Sequence, residues 1–256
     1  MPGRIRFAVA VLLLAAGSAE AADLRIAAAG SMRPALEPMV ADFHERHDDR
    51  VTVTYASSGS LRAQIANGAP FDLFLAADMD RPRSLHEAGI ASAPEPYAHG
   101  RLALWHRSGG PPSLEALPEH TERLAIAHPD HAPYGARAVE ALQSAGVREA
   151  MADRMVTGNT IGQAWQQARS GAADAALVSL SVVRQSEAVT EEAYRLVPRE
   201  RHDPIVHGLT IPDTGGDPGA ALERFLVYLG SAPGRERLRA HGLEPAGVTA
   251  GERAEE

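Results

Sequence analysis

The sequence contains no cysteine and no lysine, and aromatic residues make up only 5% of the chain. Without cysteine there is no disulfide, so an ordinary buried core has to hold the fold together. Without lysine, neither a Schiff base nor the phosphate-binding lysine of a P-loop can be present. The 25 basic residues are therefore all arginine, against 33 acidic residues, and the formal net charge is −8. Such an acidic chain is a poor partner for nucleic acid, because binding there comes largely from basic side chains that neutralise the phosphates.

The N-terminus has the pattern of a secretory signal. Arg4 and Arg6 precede an apolar run at 7–16, and a small-residue motif ends at Ala21. This pattern predicts a signal peptide over 1–21. A membrane anchor is the alternative, but the run is much shorter than the ~20 residues that a spanning helix needs. Because no cysteine is available for a lipid anchor, we expect a free periplasmic protein of net charge −9 after cleavage.

Short apolar runs alternate with segments of helical spacing along the rest of the chain. This alternation of β and α units predicts an α/β fold with mostly parallel sheets that are covered on both faces. The predicted strands are 24–29, 51–56, 71–76, 101–106, 124–127, 174–179 and 204–212, and the later predicted helices are 133–146, 160–171, 217–230 and 233–242.

Proline-rich crossings, the first around Pro94, separate two series of these units. This arrangement favours two Rossmann-like lobes with a hinge over one domain. We assign 22–99 and 205–247 to a discontinuous first lobe, 100–204 to the second lobe and 248–256 to a flexible tail. A ligand would then bind in the cleft between the lobes, and motion at the hinge would close the cleft.

Four junctions between a predicted strand and a predicted helix are small, neutral and rich in glycine or hydroxyl groups. They lie at 29–32, 57–60, 132–135 and 158–162. Taken singly, each junction is explained by tight turns and by helix capping through residues such as Ser31, Ser58 and Thr160. Two such junctions per lobe also suit an anion site, because unpaired amides and the positive dipole end of each helix point the same way. Neutral donors favour an anion that is fully ionised at neutral pH, since no acceptor is then required.

The four junctions are parts of longer motifs. These read AAAGSM at 27–32, YASSGSLRAQIANGAPFDLFLAAD at 55–78, HPDHAPYGARA at 128–138 and GNTIGQAWQQARSGAADAALVSLS at 158–181. In this order they resemble the molybdate-binding periplasmic proteins, and the resemblance extends over about 24–243. It implies the type II periplasmic binding protein fold. It also implies a receptor of an ABC importer that captures molybdate or tungstate and delivers it to a membrane permease.

The resemblance further implies which groups bind the oxyanion. It assigns Ser31 and Ser58 as donors through both amide and hydroxyl, and Tyr134 and Ile161 as donors through their backbone amides. Gly30 is an open position, because other members of the family carry a bulkier residue there.

Ser179 is the second open position, because some members place a tyrosine hydroxyl on the oxyanion there. Members with APYG in the third motif lack that tyrosine, and this chain has APYG at 132–135. We therefore group the chain with those members and expect Ser179→Ala to change binding little.

Other functions remain as alternatives. Sulfate is also a dianion that neutral donors can hold, whereas phosphate keeps a proton and would need a carboxylate acceptor. A secreted hydrolase is the alternative of another class, but no serine lies in a G-x-S-x-G motif. His44 and His47 lack the spacing of a zinc motif, and His128, Asp130 and His131 share one loop without an evident fourth ligand. We expect a monomer with no enzyme activity, no cofactor and no directly bound metal cation.

Overall fold

The structure is a computed structural model that describes residues 23–186, 188–215 and 219–247. The predicted signal peptide at 1–21 and the predicted tail at 248–256 lie outside the described residues. Within the described part of the chain, no helix has the length and apolar character needed to cross a membrane.

Strands and helices alternate along most of the chain. The strands are β1 (Asp23–Ala29), β2 (Arg50–Ala56), β3 (Leu73–Leu75), β4 (Glu95–His99), β5 (Leu102–His106), β6 (Leu124–Ala127), β7 (Met155–Gly158), β8 (Ala175–Ser179), β9 (Tyr194–Leu196), β10 (Val206–Thr210) and β11 (Glu244–Pro245). The α-helices are α1 (Arg33–His44), α2 (Ser58–Ala66), α3 (Asp80–Glu87), α4 (Leu117–His120), α5 (Pro133–Ser144), α6 (Arg148–Met151), α7 (Ile161–Arg169), α8 (Leu180–Arg184), α9 (Gly219–Gly230) and α10 (Ala232–Ala240).

The strands form two mixed sheets, one in each lobe. The six-stranded sheet has the order β11-β4-β10-β3-β1-β2, and the five-stranded sheet has the order β7-β6-β8-β5-β9. Strand β1 pairs in parallel with β2 and β3, and β6 pairs in parallel with β7 and β8. The strands next to the hinge, β10 in the first sheet and β5 in the second, pair antiparallel with their neighbours. The expectation of mostly parallel sheets was therefore too simple, because each strand that returns from a crossing enters its sheet in the opposite direction.

Strand β4 occupies the proline-rich stretch that the sequence pattern indicated as a crossing. Pro96 lies opposite Gly208, and the pairing register with β10 shifts between His207 and Gly208. A proline has no N–H for the ladder, so it fits a strand only where the pairing is irregular or at an edge. The chain crosses between the lobes after β4 and before β10, and these two strands therefore flank the hinge.

Each lobe has its own apolar core. In the first lobe, Leu36, Met39 and Phe43 lie on one face of α1 at helical spacing and are fully buried. The Phe43 ring packs edge-on against Phe225 of α9, with ring centroids 5.5 Å apart. In the second lobe, Trp165 of α7 is buried over the five-stranded sheet. Burial of one such side chain contributes about 1.5 to 3 kcal/mol, so these contacts stabilise each lobe separately.

Candidate functional site

The carboxyl ends of four strands lie at the cleft, and the next element after each of them is a helix, which in the case of β6 follows a five-residue loop. The 3₁₀ helix Gly30–Met32 follows β1, α2 follows β2, α5 follows β6, and α7 follows β7. These junctions come from both lobes, so the donors at their helix starts face one another across the cleft.

The four junctions enclose one small cavity. The space open to the centre of a water-sized sphere is about 10 Å³, which is room for about one water molecule. The residues that line the cavity are uncharged, and they are Ala29, Gly30, Ser31, Ala56, Ser57, Ser58, Ala77, Ala132, Pro133, Tyr134 and Ile161. This space is smaller than any polyatomic ligand, so the four junctions must move apart to admit one.

At the start of α2, the hydrogen bonds leave one amide unused. Ser57 is the N-cap residue, and its hydroxyl accepts from the Ser60 amide at 3.3 Å. The Gly59 amide donates across the cleft to the carbonyl of His131 at 2.9 Å. The Ser58 amide makes no hydrogen bond within the described residues, so it remains a free donor next to the cavity.

The start of α7 has the same arrangement. The Thr160 hydroxyl accepts from the Gln163 amide at 3.2 Å, and the Gln163 side chain accepts from the Asn159 amide at 2.8 Å. The pair differs from a capping box only in that the Gln163 side chain accepts from the residue before the N-cap. It leaves the Ile161 amide with no partner among the residues that the structure describes.

In α5 the second residue supplies the free amide. Pro133 has no N–H, and the Gly135 amide donates to the Ala132 carbonyl at 2.9 Å. The Tyr134 amide lies between them and has no hydrogen bond in the described chain. The Ser31 amide, in the 3₁₀ helix after β1, is likewise unpaired there.

The hydroxyls of Ser31 and Ser58 do not cap their helices. The Ser31 Oγ is buried and has no hydrogen-bond partner among the described residues. The Ser58 Oγ accepts from the Ala77 amide at 3.0 Å, so its own proton is free to point into the cavity. Leaving a buried hydroxyl unpaired costs about 1 to 3 kcal/mol. The capping explanation therefore holds for Ser57 and Thr160, whereas the other two hydroxyls are available to a ligand.

Ser179 is fully buried but does not line the cavity. The hydroxyl of Ser181 donates to the Ser31 carbonyl in the other lobe at 2.7 Å. The Ser179 hydroxyl lies 3.0 Å from Ser181 Oγ and must be the donor of that pair, because the Ser181 proton is already used. Sequence reasoning missed Ser181, although a second hydroxyl directly after a buried strand is the signal that could have marked it.

Gly30, the other open position, does line the cavity. A Cβ on Gly30 would meet the Ile161 side chain at 3.4 Å, which is an ordinary van der Waals distance. Glycine is therefore not required there by close packing, and this chain contributes no side-chain donor at that position.

The carboxylate of Asp78, the residue after the cavity-lining Ala77, does not line the cavity and is paired with Arg81. It forms an ion pair with the Arg81 guanidinium and accepts from the Arg81 amide at 3.1 Å. Arg81 also donates across the cleft to the Asp130 carbonyl at 2.9 Å. The site thus presents donors without a negative group that would repel an anion.

The histidines considered as metal ligands have other contacts. The His44 Nε2 lies 3.1 Å from the Val51 amide and accepts from it. The rings of His128 and His131 are stacked, with centroids 4.7 Å apart. Over the described ranges, no group of three or more histidine, aspartate or glutamate side chains could hold a metal ion.

Two hinged α/β lobes around a small, donor-lined cavity define a solute-binding protein of the two-lobe class. The family model described as bacterial extracellular solute-binding protein matches residues 24–244. The molybdate-binding protein ModA of Rhodobacter capsulatus is 33% identical over 241 residues, which is 92% of this chain and 93% of that protein. ModA of Azotobacter vinelandii is 32% identical, over 90% of this chain and 92% of that protein.

The solved structure of the Azotobacter vinelandii periplasmic molybdate-binding protein has a TM-score of 0.78 and 29% identity, over 86% of this chain and 98% of that one. The chain therefore belongs to the bacterial extracellular solute-binding proteins, in the same family as the ModA proteins. This match confirms the resemblance drawn from the four motifs, and it confirms the predicted α/β architecture of two lobes.

Proposed function

We propose that this protein is the periplasmic receptor of an ABC importer, that it binds molybdate or tungstate in the cavity, and that it delivers the ion to a membrane permease. The observation that carries the proposal is the convergence of unpaired amides and hydroxyls on a cavity without charge. The similarity to two ModA proteins supports the choice of molybdate.

The proposed ligand contacts come from both lobes. Ser31 and Ser58 each donate an amide and a hydroxyl, and Tyr134 and Ile161 each donate an amide. A tetrahedral dianion accepts from every side, so it can use all of these donors together. Ser179 makes no contact in this proposal, because its proton is held by the neighbouring serine hydroxyl.

The same donor set discriminates among oxyanions by protonation. Hydrogen phosphate carries a proton that needs an acceptor, and the lining of the cavity contains no carboxylate. A protonated ligand would therefore leave one of its own donors unpaired, at a cost of about 1 to 3 kcal/mol. Sulfate carries no such proton and remains the alternative ligand, distinguished from molybdate only by its smaller size.

The proposed lobe boundaries are 22–99 with 205–247 for the first lobe and 100–204 for the second. They are supported by the sheets, because the strands of each sheet come only from the ranges of one lobe. Hydrogen bonds across the cleft, such as Gly59 to His131, indicate that the described conformation is a closed one. The anion would enter when the lobes are apart and would stabilise closure by joining donors from both. We further propose that 1–21 directs export to the periplasm and that the receptor acts as a monomer.

Thermal unfolding with molybdate, tungstate, sulfate and phosphate tests the proposal. A ligand that binds only the folded state stabilises it by about 2.7 kcal/mol at a hundredfold excess over Kd. We expect large shifts with molybdate and tungstate, a smaller one with sulfate and none with phosphate. The absence of a shift with the first two at millimolar concentration would refute the proposal. A shift with zinc, or turnover of an ester, would favour a metal site or a hydrolase instead.

A further inference from the structure

A buried histidine at the hinge, His207, has no role in the oxyanion site described above. It lies on β10, close to the point where the chain returns from the second lobe, and its side chain is fully buried. The rings of Tyr97 and Tyr134 meet it edge-on from two sides, with centroid distances of 5.7 and 5.9 Å. Tyr97 belongs to β4 in the first lobe and Tyr134 to α5 in the second, so the histidine contacts both lobes.

The hydrogen bonds of these three side chains run in one direction. The Tyr97 hydroxyl donates to the Ala76 carbonyl at 3.2 Å, so its oxygen accepts from His207 Nδ1 at 3.3 Å. The proton of the neutral ring is then on Nδ1, and Nε2 accepts from the Tyr134 hydroxyl at 3.1 Å. Burial lowers the pKa of His207 to about 3, which keeps the ring neutral, as this arrangement requires.

These hydrogen bonds form a chain of side chains, and both ends of this hydrogen-bonded chain lie next to a proposed ligand donor. Tyr134 donates its own amide at the start of α5. Ala76 precedes Ala77, whose amide donates to the Ser58 hydroxyl at 3.0 Å. The chain therefore connects a donor of the second lobe with a donor of the first lobe through the hinge.

Gly100, at the crossing after β4, leaves the space that the chain needs. A Cβ at this position would overlap the Tyr134 hydroxyl and would lie 3.0 Å from His207 Nε2. The Gly100 amide also donates to the Ile205 carbonyl at 2.8 Å, which joins the two crossings. A side chain at Gly100 would separate Tyr134 from the histidine while leaving every ligand donor chemically intact.

We propose that the hydrogen-bonded chain Tyr134–His207–Tyr97 sets the distance between the Tyr134 amide and the Ser58 hydroxyl, so that His207 is a positioning residue for oxyanion binding. This inference rests on the proposed function. The anion itself contacts none of the three side chains. They act by fixing how the two lobes meet at the hinge when the cleft is closed.

The test is a double-mutant cycle of Tyr134→Phe and His207→Phe, with Kd for molybdate measured by calorimetry at a temperature where every variant is folded. Tyr134→Phe keeps the amide and the ring and removes only the hydroxyl. We expect each single variant to bind about five- to tenfold more weakly, the effect of one lost hydrogen bond. The double variant should be no weaker than the weaker single variant, because both changes break the same chain.

Tyr228→Phe is the matched control, because Tyr228 is also buried and its hydroxyl donates to Asp42 at 2.9 Å, far from the cleft. It should lower the stability of the protein and leave Kd unchanged. If Tyr134→Phe and His207→Phe also lower stability and leave Kd unchanged, the three hydrogen-bonded side chains have only a structural role and the inference is wrong.

Gly100→Ala gives an independent variant in case His207→Phe does not fold, and it should weaken binding by a similar factor.

An NMR measurement of the His207 ring nitrogens needs no ligand. It should show the Nδ1–H tautomer, and the Nε2 signal should shift in Tyr134→Phe; the opposite tautomer would overturn the inference. Wild-type protein that binds no molybdate would refute the proposed function as well, whereas normal binding by all hinge variants would refute the inference alone.

Discussion

Ser31→Ala and Ser58→Ala should both weaken ligand binding but should differ in their effect on the stability of the ligand-free protein. The Ser31 hydroxyl has no partner within the described chain, so its removal leaves nothing unpaired. The Ser58 hydroxyl accepts from the Ala77 amide at 3.0 Å, and its removal leaves that buried N–H without an acceptor. We therefore expect Ser58→Ala to lower the free energy of unfolding by about 1 to 3 kcal/mol. Ser31→Ala should leave it unchanged or raise it by up to about 1 to 3 kcal/mol, because it removes a buried hydroxyl without a partner among the described residues.

Both variants should weaken molybdate binding, because each removes a hydrogen bond to a charged ligand. Such a bond contributes about 1.5 to 3 kcal/mol, which corresponds to an increase in Kd of about 10- to 150-fold. Urea unfolding without ligand measures the stability, and calorimetry measures Kd. Ser231→Ala is the control, because the Ser231 hydroxyl caps α10 away from the cleft. It should cost about 1 kcal/mol of stability and leave Kd unchanged.

The results that would refute this reasoning differ for the two serines. If Ser31→Ala destabilised the ligand-free protein as much as Ser58→Ala, the Ser31 hydroxyl would have a partner that the structure does not contain. If Ser31→Ala bound molybdate as tightly as wild type, Ser31 would not be a side-chain donor.

Three further predictions concern contacts around the site. Ser181→Ala should weaken molybdate binding about fivefold, because it removes a hydrogen bond between the lobes, whereas Ser179→Ala should leave the calorimetric Kd near that of wild type. Gly135→Ala should lower the melting temperature by several degrees, since a Cβ there would overlap the Ala127 carbonyl and displace the start of α5; an unchanged melting temperature would contradict this. The pKa of His207 is lowered from 6.5 to about 3 by burial, so the unfolded chain binds the extra proton first as the pH falls. The contribution of the neutral His207 to the free energy of unfolding should be fully present above pH 6.5. It should be lost as the pH falls towards 3, by up to about 5 kcal/mol for the difference between the two pKa values. Urea unfolding across this pH range should show a shallower decline in His207→Phe, and an equal slope would refute the assignment.

Much of the fold could be predicted because its determinants are local. The apolar spacing of Leu36, Met39 and Phe43 predicts a helix, and the structure has α1 there with these side chains buried. Strand β4 was missed because Pro94 and Pro96 are typical of a crossing. Only the irregular pairing with β10 shows how a strand accommodates Pro96, and that pairing joins residues more than a hundred positions apart.

The candidate site was predictable in composition and less so in the role of each residue. Hydroxyl-rich junctions after strands indicated a neutral donor set, and the structure brings Ser31, Ser58, Tyr134 and Ile161 to one cavity. The sequence could not distinguish the capping Ser57 from its neighbour, because the choice depends on where α2 begins. Nor could it show that Ser181 bonds to the other lobe, since the two residues of that pair are 150 positions apart.

By itself, the sequence determined the α/β architecture, the family and the neutral, anion-compatible character of the four junctions, because each follows from local residue types and their spacing. The tertiary structure decided which amides and hydroxyls are unpaired, which residues line the cavity, and how His207 joins the lobes at the hinge. A hydrogen-bonding group is free or used only in relation to partners that the fold brings to it, and these partners come from distant parts of the chain.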